Sequence, residues 1–161
     1  MADALTVLPL DYVKKEVLSV DLSDTWRDND ITRCIKTSVA WVERYTDYAL
    51  YERDVTINAV GCKTEIATYP IVITGVVNED DAPVVDYKTR TQPLSITLYV
   101  PDQSVISATI GYDDVTDIPQ PLISAAEKLI VYLFEQKDSY SVSLPIDIQI
   151  LINEYRRSPT F

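Results

Sequence analysis

The sequence predicts an α+β fold, a small helical bundle of about four helices with an antiparallel β region inserted between the second and third helices. Three observations predict it. Apolar residues recur at helical spacing toward both ends of the chain, whereas from Leu50 to Tyr112 they alternate with polar ones. Helical and strand-like stretches come in blocks, unlike the regular alternation that builds a parallel sheet. The length of 161 residues and the 47% hydrophobic content suit one compact domain, or one domain with an appendage, divided into N-terminal helices (1–48), a β insertion (49–112) and C-terminal helices with a short tail (113–161).

A first helix is predicted from Pro9 to about Leu18. Pro9 suits a first helical turn. Leu10, Val13 and Val17 make one apolar stripe, and Lys14, Lys15 and Glu16 are expected to face away. A polar link, Asp21 to Asp28, leads to a second helix over Asp30–Thr46, with Asn29 or Asp28 as its N-cap. The core face of that helix is Ile31, Cys34, Ile35, Val42 and Tyr45. Val39 and Trp41 widen it beyond one groove. The extra width fits either a two-sided contact within the chain or a second partner such as a neighbouring subunit.

In the middle region, Tyr51, Arg53, Val55 and Ile57 alternate with Glu52, Asp54 and Thr56. Ile71–Thr74 is a short apolar run, Leu94 to Val100 alternates again, and Val105–Ile110 is rich in β-branched residues. These read as four or more strands, separated by turn chemistry at Val60–Cys62, Asn78–Pro83 and Pro101–Asp102. A third helix from Pro121 to about Gln136 aligns Leu122, Ala126, Leu129 and Leu133, with Ile123, Ile130 and Phe134 alongside. Val131 and Tyr132 fall off that stripe, where another subunit would cap them. A last helix is expected from Pro145 to Arg157, using Ile148, Leu151, Ile152 and Tyr155. The strict alternation of Leu144, Ile146, Ile148, Ile150 and Ile152 is also a strand signature; Pro145, Glu154 and Arg156–Arg157 favour helix.

Composition narrows the function. A net charge of −11 repels phosphate and opposes a general nucleic-acid-binding surface. The pair Arg156–Arg157 suits the negative end of a helix dipole. There is no apolar run of about 18 residues to span a membrane, and Met1–Leu5 lacks the basic start of a signal peptide, so the product is expected to remain in the cytoplasm. In that reducing compartment the two cysteines, Cys34 and Cys62, read as buried thiols. With no histidine, neither a zinc site nor a Ser-His or Cys-His pair is indicated. The three glycines, Gly61, Gly75 and Gly111, stand too far apart for a phosphate loop, a dinucleotide fingerprint or a nucleophile elbow. Glu79–Asp81 and Asp113–Asp114 with Asp117 miss the calcium-loop spacing and read as solvated turns. No catalytic residue, cofactor or metal is therefore expected. Eleven tyrosines and two tryptophans suit either base stacking or subunit contacts. A stacking groove needs cations along it, and the β region supplies only Arg53, Lys63, Lys88 and Arg90, so subunit contacts are favoured.

Three stretches, read together, resemble the head–tail connector (adaptor) family of tailed phages. The first is Leu10-Asp11-Tyr12-Val13-Lys14-Lys15-Glu16-Val17-Leu18, followed by Ala40-Trp41-Val42-Glu43-Arg44-Tyr45-Thr46. The second joins Ala108-Thr109-Ile110-Gly111-Tyr112, Ile118-Pro119-Gln120-Pro121-Leu122 and Leu133-Phe134-Glu135-Gln136-Lys137-Asp138. The third is Leu144-Pro145 with Leu151-Ile152-Asn153-Glu154-Tyr155-Arg156. Their order and spacing span nearly the whole chain, although Leu50 to Asp102 is longer than in a minimal member.

The resemblance implies a structural virion protein that forms a ring, commonly of about twelve copies. The ring would dock beneath the portal, extend the DNA channel and present a surface to the next neck or tail protein. Genomic DNA would pass without specific binding, and no membrane is involved. The protein would reside in the virion neck, and in the host cytoplasm during assembly. Portal docking is expected of Tyr155, Arg156, Arg157 and Phe161. Subunit contacts are expected of Trp41, Val131 and Tyr132, and tail-side contacts of the loop containing Asn78, Glu79, Asp80 and Asp81. The competing classes are a tail-completion or terminator ring protein, a nucleic-acid-binding module, and an enzyme with an atypical carboxylate site.

Overall fold

The computed structural model describes residues 3–59, 63–78, 80, 82–84, 88–92, 95–100, 103–135 and 145–156. Its architecture is the predicted α+β arrangement, with helices at both ends and antiparallel sheets between the long helix over Asp28–Thr46 and the helices that follow. Five helical segments are described. These are α1 (Ala4–Val7), α2 (Leu10–Tyr12, continuing as a π-helix over Val13–Val17), α3 (Asp28–Thr46), α4 (Gln120–Glu135) and α5 (Ile146–Ile152, closed by a 3-10 turn over Asn153–Tyr155). The short α1 has no counterpart in the sequence reading. It starts on a capping box in which Asp3 accepts from Leu5 N and Thr6 answers to Asp3 N.

The long helices form where the apolar period is strongest. α3 buries Ile31, Cys34, Ile35, Val39 and Val42, and α4 buries Leu122, Ala125, Ala126, Leu129 and Ile130. These two faces meet, and Ile148 and Ile152 of α5 close the core from the C-terminal side. Val39 is spent inside the chain, so an intrachain contact accounts for that part of the widened face.

Two expectations for the N-terminal region are corrected. Lys14 does not face away; its side chain is only 2% exposed. It lies four residues after Leu10, on the apolar side of the turn, and the π-helical register carries it inward. Its ammonium donates to Leu22 O at 3.0 Å, Asp24 O at 3.0 Å and Asp28 Oδ1 at 2.8 Å, so all three donors are satisfied. The polar link from Asp21 to Asp28 is thus wrapped around a buried cation. For the same reason Asp28 is not a cap: α3 begins at Asp28 itself, with Arg27 in the cap position making no side-chain cap bond. The Asp28 carboxylate is committed to Lys14.

Among the described residues, six strands form two three-stranded antiparallel sheets. In one, β1 (Arg53–Asn58) and β3 (Ile71–Val77) flank β6 (Val105–Ile110). In the other, β2 (Thr64–Ile66) and β4 (Lys88–Gln92) flank β5 (Ser95–Tyr99). The register of β3 on β6 shifts between Ile73 and Gly75, where Thr74 is the extra residue of a bulge. Ala59, Ile66, Val76, Leu98, Val100 and Ile106, drawn from both sheets, make a second and smaller core.

The two cores are joined at the end of α3. Glu43 accepts from Leu50 N at 2.8 Å and holds Arg53 with two bonds, 2.8 and 3.1 Å. The cis Tyr69–Pro70 turn lies beside it: Tyr69 N donates to Asp47 O and Ala49 N to Tyr69 O. Gly111 ends β6 at φ +100°, donating to Pro70 O. A Cβ at Gly111 would run into the Tyr51 carbonyl, so only glycine fits this left-handed position.

Candidate functional site

The segment after α5 folds back onto the end of α3. Tyr155 is half-buried and edge-on to Tyr48, with centroids 5.9 Å apart; Tyr48 is in turn edge-on to Tyr69 at 5.4 Å. The Arg156 guanidinium sits 5.1 Å from the centre of the Tyr45 ring, whose hydroxyl donates to Asn153 Oδ1 at 3.4 Å. Tyr112 belongs to the same patch. Burial, then the neighbouring Tyr48, Tyr69 and Tyr155 hydroxyls, push its pKa up to about 12. Of the residues expected to dock, Tyr155 therefore has its ring engaged within the chain, and Arg156 is exposed over an aromatic face. Arg157 and Phe161 lie outside the described residues.

The outer side of α3 carries an unusual charge for this chain. Arg33, Lys36, Ala40 and Arg44 are exposed along one stripe. Arg33 leans on Asp30 at 3.6 Å, while Lys36 and Arg44 enter no ion pair among the described residues. Lys36, Thr37, Ala40, Trp41 and Arg44 line an open groove of about 390 Å³. Trp41 packs partly on the helical core and leaves an edge in this groove. Val131 and Tyr132 are half-buried on α4, and Tyr132 also packs against the helical core.

The expected tail-side loop is tied to itself. Asn78 Oδ1 accepts from Asp80 N at 3.0 Å and Ala82 N at 2.9 Å, and Asn78 N donates to Ala82 O. Asp80 is exposed on this turn; Glu79 and Asp81 lie outside the described residues. The other acidic turn is organised in the same way, with Asp114 accepting from Thr116 N and Oγ1 at 2.8 Å. Those two bonds hold the Asp114 carboxyl below its ordinary pKa. Among the described residues, no group of three or more potential ligands is placed to hold a metal ion. Cys34 is a buried thiol, and Cys62 lies outside the described residues.

One surface was missed. Ile146 and Ile150 of α5 are 75% and 70% exposed, while Ile148 and Ile152 are fully buried. The alternation in the sequence carried this signal. On a helix, residues two apart point about 200° apart, so alternating isoleucines fill two opposite faces, each with an i, i+4 pair. The exposed pair is flanked by exposed Asp147 and Glu154.

No protein-family model and no curated protein matches the chain. Solved structures do. A chain in the virion of a native gene transfer agent particle is similar with a TM-score of 0.79 at 17% identity, over 100% of this chain and 95% of that one. A chain in the neck of an empty gene transfer agent particle, computed with C6 symmetry, gives 0.78 at 17% identity over 100% and 95%. A chain in the neck of the native particle, computed with C12 symmetry, gives 0.76 at 15% identity over 100% and 94%. The fold is thus shared end to end with chains of these particles.

Proposed function

We propose that this chain is a structural subunit of a virion neck, a head–tail connector that assembles side by side into a ring and prolongs the portal channel toward the tail. The observation that carries the reading is the end-to-end likeness in fold to chains from particle necks, two of them in reconstructions with sixfold and twelvefold symmetry. The phrases that resemble the adaptor family support it independently.

In this reading about twelve copies, each at −11, would bring roughly −130 charges to the ring. An acidic lumen repels the DNA backbone, which lets DNA slide and does not hold it. Arg156, with the following Arg157 and Phe161 and backed by Tyr155, would meet the portal. The Asn78–Asp81 turn would meet the next neck or tail protein. The chain performs no catalysis and acts as one connector domain, made in the host cytoplasm and retained in the virion.

Electron microscopy of the purified chain with its portal, together with antibody labelling of intact particles, tests the reading. A ring beneath the portal and label at the neck are expected. Particles that carry the chain elsewhere, or lack it, overturn the proposal.

A further inference from the structure

We infer that the cationic groove on α3 receives the outer face of α5 from a second copy of this chain, and that this pairing is the lateral contact of the ring. The inference rests on the neck reading and names the partner of the α3 surface.

The two surfaces match in chemistry. The groove offers an apolar floor, Ala40 and the edge of Trp41, between two cations, Lys36 and Arg44. α5 offers two exposed isoleucines, Ile146 and Ile150, flanked by two acids, Asp147 and Glu154. They also match in length. Lys36 and Arg44 are eight residues apart on a helix, about 12 Å, and Asp147 and Glu154 are seven apart, about 11 Å. Both surfaces want a partner. Two isoleucines at i, i+4 are a costly pair to leave in water. A stripe of exposed cations is out of keeping with a chain of 14 basic and 25 acidic residues. A second copy answers both needs at once, because each subunit carries one groove and one α5.

The pairing cannot close within one chain. Ile148 and Ile152 anchor α5 to the helical core, so its outer face points away from that core. A contact between two different surfaces of identical subunits is head-to-tail, and such contacts generate rings when the rotation closes. Opposite charges at the rim fix the register, and the isoleucines supply the desolvated centre.

Two charge-reversed variants test this. K36E/R44E carries acids on both surfaces, and D147K/E154K carries bases on both. All four side chains are exposed, and circular dichroism melting checks that each variant folds. Assembly is followed by native mass spectrometry of the full chain, alone and on portal rings. Each variant by itself should assemble at least about tenfold more weakly than the parent. An equimolar mixture should recover assembly, because the grooves of one variant accept α5 of the other, and closed rings should hold only even numbers of subunits. I150D should weaken assembly without rescue by either partner.

Variants that assemble like the parent, or a mixture that fails to recover although both components fold, overturn the pairing. Normal assembly of K36E/R44E with loss of DNA or portal binding also overturns it, and assigns the groove to that ligand. If the pairing fails while the parent chain still labels the neck, the neck reading survives. A parent chain absent from the neck and unable to self-associate removes both.

Discussion

The helical part and the β part are held together differently. Among the described residues, the helical core gathers eighteen buried side chains from all five helices, the strand approach and the Ile118 turn. The core between the sheets has six, spread over strands as short as the three residues of β2. The first is large enough to be a rigid frame and the second is marginal by itself. The β part therefore depends on its tether to α3, through Glu43–Arg53, the Tyr69–Pro70 turn and Gly111.

The tether is the most sensitive point of the fold. Gly111→Val places a branched side chain against the Tyr51 carbonyl at φ +100°. It should cost roughly 3–5 kcal/mol, read as a fall in the urea midpoint. Truncation inside each core sharpens the contrast. Leu122→Ala should cost about 3 kcal/mol and shift one global transition. Leu98→Ala should cost about 2 kcal/mol and speed amide exchange in the strands ahead of the helices. Equal acceleration in α4 would make the two cores one cooperative unit.

Lys14→Ala leaves two carbonyls and Asp28 without their donor. Because Asp28 is partly exposed, at 29%, the expected loss is about 2 kcal/mol. Lys14→Met keeps the stem and separates packing from the three hydrogen bonds. Glu43→Gln weakens the bidentate hold on Arg53 and should cost about 1 kcal/mol, with the β amides affected first.

The smallest effect is confined to alkaline pH. The folded state keeps the Tyr112 proton up to about pH 12, whereas an unfolded tyrosine releases it near pH 10. This contribution is therefore complete below about pH 10 and is lost as pH rises toward about 12. Tyr112→Phe should flatten that part of the stability curve in a urea series across the interval.

Much of the frame was legible. α3 and α4 have apolar residues at regular helical spacing, and β1 and β6 show strand patterning, so local sequence and burial agree. Elements without a period escaped. β2 is three residues long, and β4 (Lys88–Gln92) has no apolar alternation; backbone pairing to β5 makes both. α5 was placed correctly at its start, but regular helix stops at Ile152, short of the expected Arg157, and gives way to a 3-10 turn. Of the candidate surfaces, Trp41 stood out in the sequence as a tryptophan beside a full core face, and the structure places it partly on the helical core and partly in the α3 groove. Ile146 and Ile150 were hidden inside an alternation that looked like a choice between helix and strand.

By itself the sequence determined the type of each long element, the net negative charge and the lack of histidine, because these follow from spacing and composition. Tertiary structure alone decided which of two apolar faces of α5 is covered, and that Lys14 lies inside a ring of oxygens. It also decided that five tyrosines from four separate stretches, Tyr45 with Tyr48, Tyr69, Tyr112 and Tyr155, meet at one end of α3. Periodicity fixes the direction in which a side chain leaves its own helix. What waits in that direction depends on residues distant along the chain, and only the packed fold brings them there.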